Sequence, residues 1–184
     1  MVTEVDIEPW MLDEALERSQ AMGVLRNSLV SGSGNRAGFV GERLVFDHLA
    51  DRAHLVDALA MVDEFTHDIE MNGMLIEVKT KRRSQAPQPH WMVSLGMASW
   101  TRQAQFCDIL AFAQVTPDLT RGWVLGYTTP ERMEKLGRVI LAGEAEGDNG
   151  FVARADMISM EIKELWEECP LWCHAACGKK AFGL

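Results

Sequence analysis

Cysteine is scarce in this sequence and widely spaced. The 184 residues include four cysteines, and no two of them form a Cys-x-x-Cys pair. A small secreted fold held together by disulfides is therefore excluded, and so few thiols are typical of a reducing compartment. Three cysteines and one histidine lie near the C-terminus: Cys169, Cys173, His174 and Cys177. Cysteines at every fourth residue favour buried thiols on one face of a helix over the tight ligand pairs of a structural zinc site.

Long apolar runs are also lacking. The longest, such as Ile109 to Ala113 and Gly122 to Tyr127, fall far short of the ~20 residues needed to cross a bilayer. The segment from Met1 to Asp6 is acidic, whereas a secretory signal peptide begins with positive charge. We therefore expect a cytoplasmic protein that makes no contact with a membrane.

Positive charge is in deficit. Lys and Arg total 18 against 27 Asp and Glu, which gives a net charge of -9 at pH 7. This balance excludes a protein that coats nucleic acid through bulk electrostatics, so a nucleic-acid function has to be local. One basic cluster exists, formed by Lys79, Lys81, Arg82 and Arg83. The sequence has no Gly-x-Ser-x-Gly, Walker, dinucleotide-binding or His-Glu-x-x-His motif, and the chemistries that they indicate find no support.

The N-terminal part of the chain is predicted to be helical. Apolar residues from Met11 to Leu29 recur at spacings of three, four or seven, which predicts a helix over 9–29 with one apolar face. Residues 31–35 are rich in Gly and Ser, and we interpret them as a linker rather than a phosphate-contacting loop because no Gly-Lys-Ser/Thr follows. The apolar face of the helix offers a docking surface for a second copy of the chain, which would make a homodimer.

A second helix is predicted over 36–50, with a carboxylate on its apolar side. Glu42 precedes Val45, Phe46 and Leu49 by three, four and seven residues, so it shares their face. One interpretation is a glutamate at the edge of the helix, whose stem lies on the core while its carboxylate reaches water. The other is a carboxylate that belongs to a functional site.

A β-hairpin is predicted around Asn72-Gly73. Asn-Gly between alternating residues is the strongest short-range hairpin signal, because a type I′ turn needs positive φ at both central positions. A two-residue loop there sets Asp68 directly opposite Glu77. Alternation then separates a core face from a polar face. The core face carries Ile69, Met71, Met74, Ile76 and Val78, and the polar face carries Asp68, Glu70, Glu77 and Lys79.

The opposed carboxylates of Asp68 and Glu77 require an explanation. Two like charges directly opposite each other destabilise a strand pair unless positive charge lies between them. A divalent cation bound by carboxylate oxygens would supply that charge, and Lys79 follows on the same face. The alternative is an exposed face whose charges are solvated and offset by Lys79. Alternation points His67 to the other face, and we interpret it as structural.

Strands and helices alternate downstream of the hairpin, which predicts an α/β domain. Thr129 followed by Pro130 predicts the capped start of a helix that runs to about Leu141. The other predicted elements are strands over 91–95, 109–115 and 122–127 and a helix over 98–106. The predicted organisation is an N-terminal helix with a linker over 1–35, and an α/β domain with a helical C-terminal extension over 36–184.

The residues Glu42, Asp68 and Glu77-Val78-Lys79 together resemble the motif of the PD-(D/E)XK nuclease superfamily. Its members share a helix, a mixed sheet with a central hairpin, a further helix and a further strand. The resemblance covers roughly 36–127, with His67 standing where the family has proline. It implies a restriction-endonuclease-like core in which a catalytic hairpin within a mixed sheet is flanked by helices. Within the superfamily the chain looks most like Holliday-junction resolvases and phage or restriction-type nucleases.

The resemblance implies a mechanism, namely hydrolysis of DNA phosphodiester bonds by an endonuclease that depends on Mg²⁺ or Mn²⁺. Asp68, Glu77 and the Val78 main-chain carbonyl would bind the cation, and Glu42 would complete the site directly or through a water. Lys79 would orient the attacking water or stabilise the charge that develops on phosphorus.

Basic and polar residues outside this motif are candidates for contact with nucleic acid. Lys81, Arg82 and Arg83 continue the hairpin strand beyond the site, where they would contact phosphates. The alternative is an ordinary basic end of an exposed strand. Gln103, in the predicted short helix, and Arg36 are further candidates.

A second function remains open alongside the nuclease. The chain would then be a catalytically inactive module that keeps the nuclease scaffold and binds nucleic acid or a protein partner. The net charge of -9 favours this alternative. The intact set of Asp68, Glu77 and Lys79 favours the nuclease, because a scaffold freed from catalysis has no chemical need for all three.

Overall fold

Helices and strands alternate along the chain, as predicted for an α/β domain. The structure is a computed structural model, and it describes residues 2–22, 33–51, 58–62, 67–147 and 151–170. In chain order the elements are β1 (Thr3–Asp6), α1 (Pro9–Met22), α2 (Ser33–Ala50), β2 (Leu59–Met61), β3 (Ile69–Met71), β4 (Met74–Arg82), β5 (Met92–Gly96), α3 (Met97–Phe106), β6 (Ile109–Val115), β7 (Arg121–Thr128), α4 (Pro130–Leu136), β8 (Arg138–Ile140) and β9 (Met157–Glu161). A short 3₁₀ helix follows at Ile162–Glu164.

The strands form two sheets. The larger has six strands in the order β1-β7-β6-β4-β3-β2, and the smaller has three in the order β5-β9-β8. β4 and β6 run parallel, while the other neighbouring strands run antiparallel, so the larger sheet is mixed. Parallel strands need a crossover connection, and here the chain passes through β5 and α3 between them.

Two apolar clusters form the core, one on each face of the larger sheet. On one face α1 and α2 pack against the strands, and Leu44 of α2 belongs to the same cluster as Ile76 of β4. On the other face Phe112 of β6 belongs to a cluster with Ile158 of β9 and residues of α3 and α4. The central strand β4 packs against α2 on the first face, and on its other face Glu77 is buried while Lys79 and Lys81 are half-buried.

The predicted hairpin is confirmed in turn and register. Asn72 has φ 53° and Gly73 has φ 79°, the two positive values that a type I′ turn requires. Ile69 pairs with Ile76, as a two-residue loop demands. The predicted core face is buried at all its positions except Met74, which is only partly buried beside the turn.

Three helix predictions are corrected by the structure. Residues 33–35 are not a linker, because they form the first turn of α2. The helix that begins at Pro130 has the predicted Thr129 cap but ends at Leu136 rather than near Leu141, since β8 starts at Arg138 and pairs with β9. The C-terminal extension contains β9 where a helix was predicted, because strand pairing in the smaller sheet overrides local propensity.

The N-terminal segment packs on the rest of the chain. β1 pairs with β7 in the larger sheet, and α1 buries Met11 and Ala15 in the same cluster as α2. The face of α1 that was predicted to dock on a second copy is thus covered by the chain's own α2. The predicted helix is confirmed over Pro9–Met22, whereas 23–29 and the linker residues Ser31 and Gly32 lie outside the described residues.

No helix in the described part of the chain combines the length and the apolar character needed to cross a membrane.

Candidate functional site

Asp68 lies at the point where β3 stops pairing with β4. Its backbone N–H donates to Ile76 O at 3.0 Å, and because the register already pairs Ile76 with Ile69, regular pairing ends at Ile69. Its Oδ2 atom accepts from Val78 N at 2.7 Å, so the carboxylate replaces the backbone acceptor that a longer β3 would have offered. These two bonds hold Asp68 against β4 between Ile76 and Val78, and the paired register itself ends one residue before the predicted pair of Asp68 and Glu77.

Glu77 and Lys79 lie on one face of β4 and touch each other. Lys79 Nζ donates to Glu77 Oε1, and Glu77 is 7% exposed. Alternation along the strand places both side chains away from α2, towards the face where the second apolar cluster lies. Glu77 and Lys79 therefore share one face, as predicted. Glu77 is buried there and Lys79 is half-buried, whereas Glu70 of the predicted polar face is 47% exposed.

Glu42 approaches the hairpin from α2, which confirms that it faces inward. Its side chain is 12% exposed, and Arg18 Nη2 of α1 lies 2.9 Å from its Oε2 atom. The guanidinium of Arg18 also lies 4.2 Å from the centroid of the Phe39 ring. Helix α2 approaches β4 closely at Gly41. A side chain there would prevent this approach, because a Cβ atom at Gly41 would overlap the hydroxyl of Thr80 on β4.

The three carboxylates influence one another electrostatically. The pKa of Glu42 is raised from 4.5 to about 8, first by burial and next by the negative charge of Asp68, while Arg18 acts in the opposite direction. Burial also raises the pKa of Asp68, against the Val78 N–H and Lys79, which lower it. Burial raises the pKa of Glu77 in the same way, against the positive charge of Lys79. The site therefore concentrates negative charge where water solvates it poorly.

Two residues, Asp68 and Glu77, offer carboxylate oxygens that suit Mg²⁺ or Mn²⁺. These hard cations accept carboxylate oxygens, and Mg²⁺ is commonly held by one or two carboxylates while it keeps several waters. Val78 N donates to one oxygen of the Asp68 carboxylate, and Lys79 Nζ donates to one oxygen of the Glu77 carboxylate. Within the described ranges, no three His, Cys, Asp or Glu side chains are grouped so that they could hold a metal ion together. Glu42 is accordingly a residue that would act through a water or through its charge.

The predicted nucleic-acid contacts occupy different environments. Lys81 Nζ donates to Met92 O at 3.0 Å and to Glu146 Oε1 at 2.8 Å, and Arg83 Nη2 lies 3.9 Å from Glu146 Oε2. Arg82, between them, is exposed. The strand end is therefore partly an internal ion-pair cluster, and Arg82 is the cation that reaches solvent.

Arg36 and Gln103 are the two remaining candidates for contact with nucleic acid. Arg36 Nη2 donates to Leu12 O at 3.5 Å and so joins α2 to α1. Gln103 lies in α3, and its side chain is outside the described part of the structure.

Sequence reasoning missed two charged residues that the fold brings to these clusters. Arg18 lies in an amphipathic helix with no motif around it, and only the packing of α1 on α2 sets it beside Glu42. Glu146 is 1% exposed and lies far along the chain from Lys81. Neither residue carries a local sequence signal. By contrast His67, interpreted as structural, is buried, and its Nε2 lies 3.2 Å from Glu70 Oε1.

The described cysteines are buried thiols. Cys107 and Cys169 are buried, and burial raises the pKa of Cys107 to about 12. Cys169 lies after the 3₁₀ helix rather than within the predicted helix. Cys173, His174 and Cys177 fall outside the described residues.

The geometry of the site is the basis for any functional conclusion. Comparisons of the chain with models of protein families, with curated proteins and with solved structures found no match.

Proposed function

We propose that this protein is a metal-dependent nuclease of the PD-(D/E)XK type that hydrolyses phosphodiester bonds of DNA as an endonuclease. The observation that carries the proposal is that Glu42, Asp68, Glu77 and Lys79, from three separate segments of the chain, lie close enough for their charges to act on one another. Lys79 touches Glu77, and the charges of Asp68 and Glu77 both act on Glu42. This is the constellation that the resemblance in the sequence implies.

The order of elements supports a restriction-endonuclease-like core. A helix (α2), strands that include the hairpin (β2 to β4), a further helix (α3) and a further strand (β6) follow one another, and β6 lies beside β4 in the mixed sheet. The hairpin carries Asp68 and Glu77, and α2 carries Glu42. Glu77 is buried and Glu42 is 12% exposed, so water solvates these carboxylates poorly, which strengthens electrostatic interactions within the site.

Each site residue then has a chemical role. Asp68 and Glu77, with the Val78 carbonyl, would hold Mg²⁺ or Mn²⁺, which supplies a Lewis acid for the phosphate and a water of lowered pKa. Lys79 orients the attacking water or donates to the phosphate oxygens as charge develops on them. Glu42, held by Arg18, adds negative charge that favours a bound cation and can accept a hydrogen bond from a water in the site.

Cleavage assays test this proposal. Single-stranded, double-stranded and branched DNA are incubated with Mg²⁺ or Mn²⁺ and with wild type, Asp68→Ala or Glu70→Ala. Glu70→Ala is the matched control, because it removes a half-exposed carboxylate from the same hairpin. We expect wild type and the control to cut at similar rates and Asp68→Ala to cut about a thousandfold more slowly. Wild-type rates in Asp68→Ala would contradict the proposal.

A second function is favoured by one observation. Arg18 and Lys79 already place positive charge on two of the three carboxylates. That arrangement suits a catalytically inactive module that keeps the nuclease scaffold and binds nucleic acid or a protein partner. Calorimetric titration with Mn²⁺ separates the two, because the nuclease binds the cation and loses it in Asp68→Ala, whereas the inactive module binds none.

A further inference from the structure

A cleft lies at the end of β4, beyond the candidate site. Its volume is about 650 Å³, and it is bounded by the end of β4, the loop that follows and residues of the smaller sheet. Clefts of this size are typical of sites that hold small organic ligands, including single nucleotides. The residues that matter for its chemistry are Arg82, Gln85, Trp91, Glu146 and Phe151.

Positive charge dominates the cleft. Lys81, Arg82 and Arg83 line it together with one carboxylate, that of Glu146. Glu146 fixes Lys81 through a 2.8 Å ion pair and lies 3.9 Å from Arg83, so both cations are held in place rather than free to move. In a chain of net charge -9 this is a local concentration of the opposite sign. A ligand of this cleft is therefore anionic, and the exposed Arg82 is the side chain best placed to contact it.

Aromatic side chains line the same cleft. The guanidinium of Arg83 lies 4.8 Å from the centroid of the Trp91 ring, and Phe151 is 43% exposed. Flat aromatic surfaces stack on nucleobases, and a nearby amide such as that of Gln85 can bond to base edges. A base paired within a duplex enters such a cleft only after it has been unpaired and unstacked at a cost in free energy, whereas an unpaired base enters without that cost.

The position of the cleft connects it with the candidate site. Glu77, Lys79 and Lys81 alternate along one face of β4, and Arg82 lies three residues beyond Lys79. That separation is about 10 Å along the strand, and stacked bases of one DNA strand advance by about 3.4 Å per step. A DNA strand with a phosphate at Asp68 and Glu77 therefore reaches the cleft within a few nucleotides.

We propose that this cleft binds an unpaired nucleotide of a DNA strand, with its phosphate on Arg82 and its base against Trp91 and Phe151. The substrate of the nuclease then contains a single-stranded segment next to the bond that is cut. This inference rests on the proposed function for the position of the cut, but binding in the cleft needs no catalysis and can be measured without it.

Fluorescence anisotropy in EDTA provides the test, with a labelled oligothymidylate and a duplex of the same length as probes. The variants are Arg82→Ala and Phe151→Ala. Their matched controls are Lys135→Ala, an exposed cation on α4, and Phe106→Ala, a phenylalanine of similar exposure (51%) at the end of α3. Arg82 and Phe151 are exposed and the partly buried Trp91 is left unchanged, so a loss of binding in these variants does not reflect unfolding.

We expect wild type to bind the single strand more tightly than the duplex. Phe151→Ala should weaken that binding about tenfold, since base stacking on one aromatic side chain is worth that much. Arg82→Ala should also reduce the slope of log affinity against log salt by about one. Equal or tighter binding of the duplex, or equal losses in the controls, would overturn the inference.

The outcomes separate this inference from the proposed function. If the cleft variants lose single-strand binding while wild type cuts no DNA with Mg²⁺, the proposal of nucleotide binding in the cleft is supported and the proposal of nuclease activity is contradicted. If Asp68→Ala abolishes cutting while the cleft variants bind the single strand like wild type, the proposal of nuclease activity is supported and the proposal of nucleotide binding in the cleft is contradicted.

Discussion

Two clusters of charged side chains lie along β4, and they differ in how their charges balance. At the hairpin, three carboxylates meet two cations, Arg18 and Lys79. At the strand end, the single carboxylate of Glu146 meets two cations, Lys81 and Arg83. The first cluster has an excess of negative charge and the second an excess of positive charge.

The two clusters therefore differ in the role that their charges can have. Glu146 also accepts from Ser94, and Arg138 donates to its main-chain carbonyl, so hydrogen bonds of the second cluster tie the smaller sheet to β4. In the first cluster burial raises the pKa of all three carboxyls, which means that the folded state resists their full ionisation. A bound cation relieves that resistance. Burial acts at the strand end too, where it lowers the pKa of Lys81 and of Arg83 against the charge of Glu146, so the clusters differ in the sign of their excess charge. From that sign we infer that the hairpin cluster is the one that attracts a cation, while the strand-end cluster ties the smaller sheet to β4.

The largest expected effect is on stability at the strand end. Glu146→Ala leaves Lys81 and Arg83 without their buried carboxylate, and removing one partner of a buried ion pair costs about 3–5 kcal/mol. We expect the free energy of unfolding in urea to fall by at least the lower part of that range. Glu134→Ala, which removes an exposed carboxylate of α4, is the control and should change stability little. A small loss in Glu146→Ala would mean that this cluster is not structural.

The next effect is on catalysis at the hairpin. Lys79→Ala removes the cation beside Glu77 and is expected to lower kcat for DNA cleavage about a hundredfold, or about 2.7 kcal/mol in the barrier. Lys79→Arg should recover part of the loss, because it retains the charge. Lys135→Ala serves as the control for loss of a surface cation. An unchanged kcat in Lys79→Ala would contradict a catalytic role of the hairpin cluster.

The pH dependence of stability follows from Glu42. Its pKa in the folded protein, about 8, lies above the ordinary 4.5, so the folded state holds a proton that the unfolded state releases between these values. Stability contributed in this way is complete below about pH 4.5 and is lost as the pH rises through about 8. In EDTA the melting temperature should therefore fall by several degrees from about pH 5 to about pH 9.

Glu42→Gln should flatten this profile, since the amide does not titrate. Added Mg²⁺ should raise the wild-type melting temperature most at the alkaline end, where all three carboxylates are ionised. A profile that is equally steep in Glu42→Gln would assign the pH dependence to another group.

The smallest expected effect is a gain in stability at the hairpin. Asp68→Asn removes one like charge from the hairpin cluster while its side-chain oxygen can still accept from Val78 N. In EDTA we expect stabilisation of about 1 kcal/mol, or a rise of about 2–4 °C in melting temperature for a chain of this size. Differential scanning fluorimetry measures it, and the sign should reverse in Mg²⁺, which stabilises wild type only. Destabilisation in EDTA would show that the carboxylate is needed for the fold itself.

Much of the hairpin could be predicted from the sequence because its determinants are local. The turn at Asn72-Gly73 fixes the register by backbone sterics, and period-two alternation then assigns each side chain to a face. The inward direction of Glu42 followed from helical spacing in the same way. The helix that begins at Pro130 was predicted at its capped start, where Thr129 accepts from Arg132 N, but not at its end.

The errors occur where distant parts of the chain compete with local preference. Residues 33–35 are rich in Gly and Ser yet extend α2, and the helix predicted to reach Leu141 gives way to β8. β8 forms because β9, far along the chain, offers a pairing edge. Local composition carries no information about that edge.

The sequence by itself determined the hairpin, its register and the face shared by Asp68, Glu77 and Lys79, because these follow from interactions between near neighbours. Only the tertiary structure decided that Arg18 lies against Glu42 and that Glu146 holds Lys81. These contacts join segments that are far apart in the chain, and long-range packing, rather than any local pattern, brings their charges together in a poorly solvated interior.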